Sequence, residues 1–226
     1  MMQITTARFN MIEQQIRTWD VLDPNVLQLF NDVPREHFLP KEYIALAFAD
    51  IEIPIGYDTN GQMQTMLSPK LEGRILQALN CQKQHKVLHI GTGSGYFAAL
   101  LASLVEHVVS IDINAELSEI AANNLANQGI KNIDLRVADG ALGYMQSNHT
   151  NRYDVIVYTA SSPLEPINVR QQLNIDGVMF VIIGTAPVMQ ATLIKRFAEN
   201  SFKETVLFET CLPALINAVQ PAAFIF

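Results

Sequence analysis

Lys86-Val87-Leu88-His89-Ile90-Gly91-Thr92-Gly93-Ser94-Gly95 is the stretch that decides how this chain folds. A short apolar run breaks into three glycines at alternate positions. A second apolar run, Val108-Val109-Ser110-Ile111, then ends on Asp112. A strand, a glycine turn, a helix and a strand ending in a carboxylate make a nucleotide-cofactor site. Glycines let the backbone turn and approach a ligand without a Cβ in the way. The carboxylate accepts protons from ribose hydroxyls. The plainer reading of Asp112 is a strand-end residue capping a turn.

The spacing selects among nucleotides. Dinucleotide sites need G-x-G-x-x-G, with the third glycine facing the helix. Here the pattern is G-x-G-x-G followed by Tyr96, a bulky residue where that helix must pack closely. The shorter spacing resembles motif I of S-adenosylmethionine-dependent methyltransferases, whose cofactor has no pyrophosphate. Gly91, Thr92, Gly93, Ser94, Gly95, Asp112 and Ile113 are then the candidate cofactor contacts.

Around this stretch, strands and helices alternate. Strands are expected at 86–90, 107–112, 132–137, 153–158, 178–183 and 203–210. Helices are expected at 95–104, 115–127 capped by Asn114, 165–173 and 187–199. Ala222 to Phe226 reads as a final strand. Such alternation gives right-handed crossovers and a mostly parallel sheet, with the ligand beyond the carboxyl ends of the strands. The first 80 residues read differently. Phe9, Ile12, Ile16 and Trp19 share one helical face. Asp23-Pro24 and Ser68-Pro69 each pair a cap with a proline at the first helical position. Residues 51–64 carry Pro54, Gly56, Asn60 and Gly61, and read as loop or a short irregular hairpin. The expected fold is therefore α/β and Rossmann-like: a mostly parallel central sheet with helices on both faces. Residues 1–80 form a helical lid or substrate region packed on a core of residues 81–226.

Composition narrows the functions. The chain has 226 residues, 49% of them hydrophobic and 16% charged, with a net charge of −7. An acidic protein without a basic run gains nothing from counterion release, which argues against nucleic acid as partner. No apolar run has the length of a membrane span, and no secretion signal is seen. Cys81 and Cys211 read as free thiols of a reducing cytoplasm. The histidines at 37, 85, 89, 107 and 149 have no metal-ligand spacing, and no metal is expected. His89 reads as a satisfied core residue.

Asp139-Gly140 follows the third strand, where a carboxylate accepts the adenine amine; the alternative is an ordinary Asp-Gly turn. Thr159-Ala160-Ser161-Ser162-Pro163 lacks the Asn/Asp-Pro-Pro-aromatic segment of base-modifying methyltransferases. Its small residues suit a peptide or small-molecule acceptor.

Further segments carry a family resemblance. They are Met11 to Arg17, Val33-Pro34-Arg35-Glu36-His37-Phe38-Leu39-Pro40, Tyr43 to Phe48 with Asp50, and Ile53-Pro54-Ile55 before Gly61-Gln62. They continue as Val87 to Tyr96, Ala138-Asp139-Gly140 with Gly143-Tyr144, and Tyr153-Asp154-Val155-Ile156 with Thr159-Ala160 and Pro163. Together the ordered set, over roughly residues 8 to 185, resembles protein-L-isoaspartate O-methyltransferases. The resemblance implies methylation of the free carboxylate of L-isoaspartyl residues in damaged proteins or peptides, with S-adenosyl-L-methionine as cofactor. By motif, Gly91, Gly93 and Gly95 border the cofactor, Asp112 its ribose, and Asp139-Gly140 its adenine.

Three segments differ from the family pattern. In Gln64-Thr65-Met66-Leu67-Ser68-Pro69, Leu67 stands at the serine position, and Lys70-Leu71-Glu72 replaces aromatic or apolar residues. His89 replaces an acidic residue, and Leu212-Pro213-Ala214 only echoes Val-Pro-Leu. Methyl transfer to an ionised carboxylate needs positioning more than acid–base chemistry. Thr65 and Ser68 are the candidates for orienting the acceptor. A methyltransferase on another small acceptor and a cofactor-binding protein without catalysis are the competing readings. The chain is expected as a monomer or homodimer.

Overall fold

The structure, a computed structural model, describes residues 2–58, 61–144 and 152–222. Helix α1 (Met2–Met11) runs into a π turn, Ile12–Ile16, and a 3-10 turn, Arg17–Trp19. The wide turn changes the helical phase, so Met11, Ile12 and Ile16 are all buried. Phe9 and Trp19, expected on the buried face, are instead 60% and 48% exposed. Asp20 ends the segment in the left-handed region, at φ 59°. Helix α2 (Pro24–Asp32) starts as expected: the Asn25 N–H donates to Asp23 Oδ1 at 2.8 Å.

The ambiguous segment 51–64 contributes to a hairpin of β1 (Ile53–Tyr57) and β2 (Met63–Met66). Helix α3 (Pro69–Leu79) follows, with Ser68 at its N-cap. The Ser68 hydroxyl makes no capping hydrogen bond, so only the backbone half of that expectation holds.

The remaining elements are β3 (Lys86–Ile90), α4 (Tyr96–Leu104), β4 (His107–Asp112), α5 (Ala115–Asn127), β5 (Ile133–Val137), β6 (Tyr153–Ser162), α6 (Ile167–Arg170), β7 (Leu173–Thr185), β8 (Val188–Ala198) and β9 (Ser201–Thr210). The main sheet has seven strands in the order β5-β4-β3-β6-β7-β8-β9. Pairings from β5 through β7 are parallel, and β8 and β9 add antiparallel.

Two expected helices are corrected. Helix 165–173 shrinks to α6, because Leu173 already pairs with Tyr153 as the start of β7. The helix expected over 187–199 is β8, hairpinned onto β7 from Thr185 and Val188 onward. Its Met, Gln, Ala, Leu and Lys residues favour a helix in isolation. Pairing on both edges overrides that preference, and Met189, Ala191, Ile194 and Arg196 turn inward. The strand expected at Ala222–Phe226 lies outside the described residues from 223 on, as does His149.

Alternate residues of the buried strands feed two apolar layers, as a sheet covered on both faces requires. Val87, Val155, Val157 and Phe180 face a layer that also holds Ile16, Phe30, Ile75 and Leu100. Leu88, Ile90, Ile156, Tyr158 and Met179 face the other. The N-terminal elements thus share one continuous core with the sheet.

Candidate active site

Where β3, β4, β5 and β6 end, their polar loops meet around one cavity. The strand order runs outward from β3 in both directions, which is the switch point where such sheets bind ligands. Gly91, Thr92, Gly93, Ser94, Asp112, Ile113, Asp139 and Gly140 all line it.

Gly91 has φ +100°, and a Cβ there would lie 2.6 Å from Thr159 Oγ1. Gly95 does not line the cavity. It starts α4 at φ +87°, and a Cβ would meet Ala121 Cβ at 3.1 Å and Cα at 3.3 Å. The missing Cβ of the third glycine therefore serves the packing of α4 on α5. Gly95→Ala is expected to cost at least the left-handed penalty of about 1–2 kcal/mol, read as a lower denaturant midpoint. An unchanged midpoint would contradict this packing role.

Asp112 organises the turn. Its Oδ2 accepts from the Gly93 N–H and its Oδ1 from the Asn114 N–H, both at 2.9 Å. Burial raises its pKa, and the Gly93, Asn114 and Ile113 amides pull it back down. Asn114 caps α5 as expected, accepting from Glu116 and Leu117. Asp139 Oδ1 accepts from the Ala141 N–H at 2.9 Å, and its Oδ2 from Asn217 Nδ2 at 2.8 Å. Asp139 thus makes the ordinary turn while still lining the cavity.

Beneath the glycine turn lies a hydrogen-bonded chain. His89 is fully buried, and burial pulls its pKa down to about 3, so the imidazole is neutral. Thr159 Oγ1 donates its single proton to the Gly91 carbonyl at 2.7 Å. It then accepts from His89 Nε2 at 3.2 Å, which assigns the proton to Nε2. His89 Nδ1 accepts from Ser110 Oγ at 2.9 Å, and Ser110 accepts from Thr92 Oγ1 at 2.7 Å. Every polar atom of this chain has a partner, and it fixes both Gly91 and Thr92. The core reading of His89 holds, with its ring tied to the cofactor turn.

The other end of the cavity is formed by Thr65, Met66, Leu67, Glu72, Tyr96 and Phe97. Thr65 Oγ1 donates to Glu52 Oε2 at 3.0 Å. Ser68 is buried and stands outside the cavity lining, whereas Thr65 and Leu67 are part of it. It takes the N-cap position of α3. Sequence reasoning missed Arg35 and Glu72. Both are fully buried and ion-paired, and Arg35 also donates to the Leu67 carbonyl. The signal was present: Glu72 falls on the stripe continued by Leu76 and Leu79, where a charge has no solvated reason to be.

Residues 212–216 close the cavity after β9. Ser161 holds them: its N–H donates to the Pro213 carbonyl at 2.9 Å and its hydroxyl to the Leu212 carbonyl at 2.8 Å. Asp58, Glu72, Asp112 and Asp139 line the cavity, and no lysine or arginine does among the described residues. That field favours a cationic ligand and opposes a pyrophosphate. Among the described residues no metal-binding cluster occurs, and no helix is long and apolar enough to cross a membrane.

Comparisons with known proteins show which family the chain is similar to. The family model for protein-L-isoaspartate(D-aspartate) O-methyltransferase matches residues 6–217. A protein-L-isoaspartate O-methyltransferase of Rhodopseudomonas palustris is 34% identical over 209 residues, 92% of each chain. One from Protochlamydia amoebophila is 36% identical over 186 residues, 82% of this chain and 84% of that one. A solved protein-L-isoaspartate O-methyltransferase superposes with TM-score 0.79 at 27% identity, covering 92% of this chain and 65% of that longer one. A Plasmodium falciparum structure in complex with S-adenosyl-L-homocysteine, 17% identical, shares the fold with TM-score 0.76, covering 91% and 96%.

Proposed function

The chain belongs to the protein-L-isoaspartate(D-aspartate) O-methyltransferase family, and we propose that it methylates the free carboxylate of L-isoaspartyl residues in proteins or peptides. S-adenosyl-L-methionine is the methyl donor. The observation that carries this reading is the cavity wall of Gly91, Gly93 and Gly140 beside the Asp112 carboxylate. A Cβ on Gly140 would sit 2.4 Å from Ile90 Cγ2, so this wall has no room for larger residues. The charged residues that line the cavity among those described are all carboxylates, which suits the sulfonium charge.

When bound, the cofactor supplies a methyl group on a sulfonium, an electrophile that needs no activation. The chain's residues bind and orient. Asp112 would hold the ribose hydroxyls, while Gly91, Thr92, Gly93 and Ser94 would form the wall against the cofactor. Ile113, Asp139 and Gly140 would hold the adenine. An ionised acceptor carboxylate needs no base, so in-line positioning and exclusion of water supply the rate. Leu67, Met66 and Phe97 give that end of the cavity its apolar walls. Thr65 reaches the acceptor only by releasing Glu52. The reaction is placed in a reducing cytoplasm, in keeping with free thiols at Cys81 and Cys211.

Purified protein with methyl-labelled cofactor is expected to label an L-isoaspartyl peptide as a base-labile ester and to leave the matching aspartyl peptide unlabelled. A protein that binds S-adenosylhomocysteine but labels neither peptide would remove this acceptor.

A further inference from the structure

Glu72 is the side chain at the acceptor end that the reaction above does not use. It lines the cavity yet has no solvent exposure. Its Oε2 is paired with Arg35 Nη1. Its Oε1 is buried with no hydrogen-bond partner. A buried carboxylate oxygen left unpaired is costly, and native structures that keep one usually have a use for it.

Among the described residues that line the cavity, only Glu72 carries a buried side-chain polar atom without a partner; Arg35 Nε of the same ion pair is unpaired as well. The Leu67 carbonyl is already engaged by Arg35. The Thr65 hydroxyl is turned to Glu52, and the Tyr96 hydroxyl to the Val33 carbonyl. Arg35, from the 3-10 turn Arg35–Phe38, and Asp50, itself paired with Lys70, bear electrostatically on Glu72. Tyr96 of α4 faces both Glu72 and Arg35, and the Arg8–Glu36 pair acts on Tyr96 in turn. Among the described residues Arg35 is the cation paired with Glu72, so the site balances one negative charge.

A second carboxylate brought into this end meets that balance. Two ionised carboxylates beside one buried guanidinium repel each other, and one of them takes a proton. Resting on the isoaspartyl reading above, we propose that Glu72 is the acceptor-positioning residue, and that the acceptor carboxylate binds with uptake of one proton onto Glu72 Oε1. The carboxyl O–H then donates to the acceptor carboxylate, and Arg35 remains paired with Oε2. No bond other than this O–H forms, and the proton comes from solvent. Burial already pushes the Glu72 pKa up to about 7, so the proton is held readily near neutrality.

The sign follows. Below about pH 7 Glu72 enters binding already protonated, and acceptor affinity is flat. Above it, each pH unit weakens acceptor binding by about tenfold, the linkage expected for one proton. The test is calorimetry of an L-isoaspartyl peptide on wild-type protein saturated with S-adenosylhomocysteine. It is run at pH 8 in two buffers of different ionisation enthalpy. Uptake of close to one proton is expected, fading below pH 6. The E72Q variant carries a permanent N–H donor. It is expected to bind without proton uptake and with a KM for the peptide that stays flat from pH 7 to 9. That variant leaves Arg35 without its counter-charge, so its fold is checked first; the wild-type measurement stands without it. Tight binding with no proton uptake at pH 8 would overturn the role of Glu72 alone. If the peptide fails to bind at any pH while S-adenosylhomocysteine binds, the acceptor class falls and this proposal falls with it.

Discussion

Asp112→Ala is expected to lower affinity for S-adenosylhomocysteine by roughly ten- to a hundredfold, the worth of about 1.5–3 kcal/mol for hydrogen bonds to a buried charged group. Two losses combine. The ribose hydroxyls lose their acceptor, and the Gly93 and Asn114 N–H groups lose the carboxylate that orders the turn. Asp112→Asn separates them. Its carbonyl oxygen still accepts one backbone N–H, but its amide presents donors where the other N–H already points. Asn is therefore expected to fall between wild type and Ala. Isothermal titration with S-adenosylhomocysteine measures both variants. Wild-type affinity in Asp112→Ala would mean that the cofactor lies elsewhere.

The cofactor half of this site was legible because its physics is local. Gly91 and Gly93 need positive φ, and Asp112 and Asn114 sit at the end of a strand and the start of a helix, so spacing alone places them together. Gly95 shows the limit of that logic. It has the same backbone requirement, but its missing Cβ serves Ala121 on α5, a contact that no motif announces. The acceptor half is built by long-range contacts. Arg35 and Glu72 are 37 residues apart and meet only when α3 packs beside the N-terminal turns. The same holds for β8, whose residues favour a helix until both of its edges are paired. Ser68 takes the N-cap position of α3 and stands outside the cavity lining, next to Leu67, which is part of it.

Acid is expected to expose the second large effect, at His89. The ring is neutral in the folded chain because burial pulls its pKa from 6.5 to about 3. Unfolded chains bind a proton there below about 6.5, and the folded chain does not until about 3. Stability from this group is therefore complete above about pH 6.5 and falls with pH across that window. The slope is about 1.4 kcal/mol per pH unit for one proton. Glu72 acts in the opposite sense. Its folded pKa, about 7 against 4.5, makes the folded chain the better proton binder between those values, so that group's penalty eases as pH falls. Wild-type stability alone would show the two effects opposing each other between about 4.5 and 6.5. A comparison removes this ambiguity. His89→Gln keeps Glu72 and loses the titrating ring, so the difference between the proteins isolates His89. At pH 8 the variant is expected to be less stable by about 1–3 kcal/mol, because Ser110 and Thr159 lose well-placed partners. On acidification the gap closes, and wild type becomes the less stable protein toward pH 4. Urea midpoints at intervals from pH 8 to pH 4 measure this directly. Parallel curves for the two proteins would show that His89 is not held neutral in the fold.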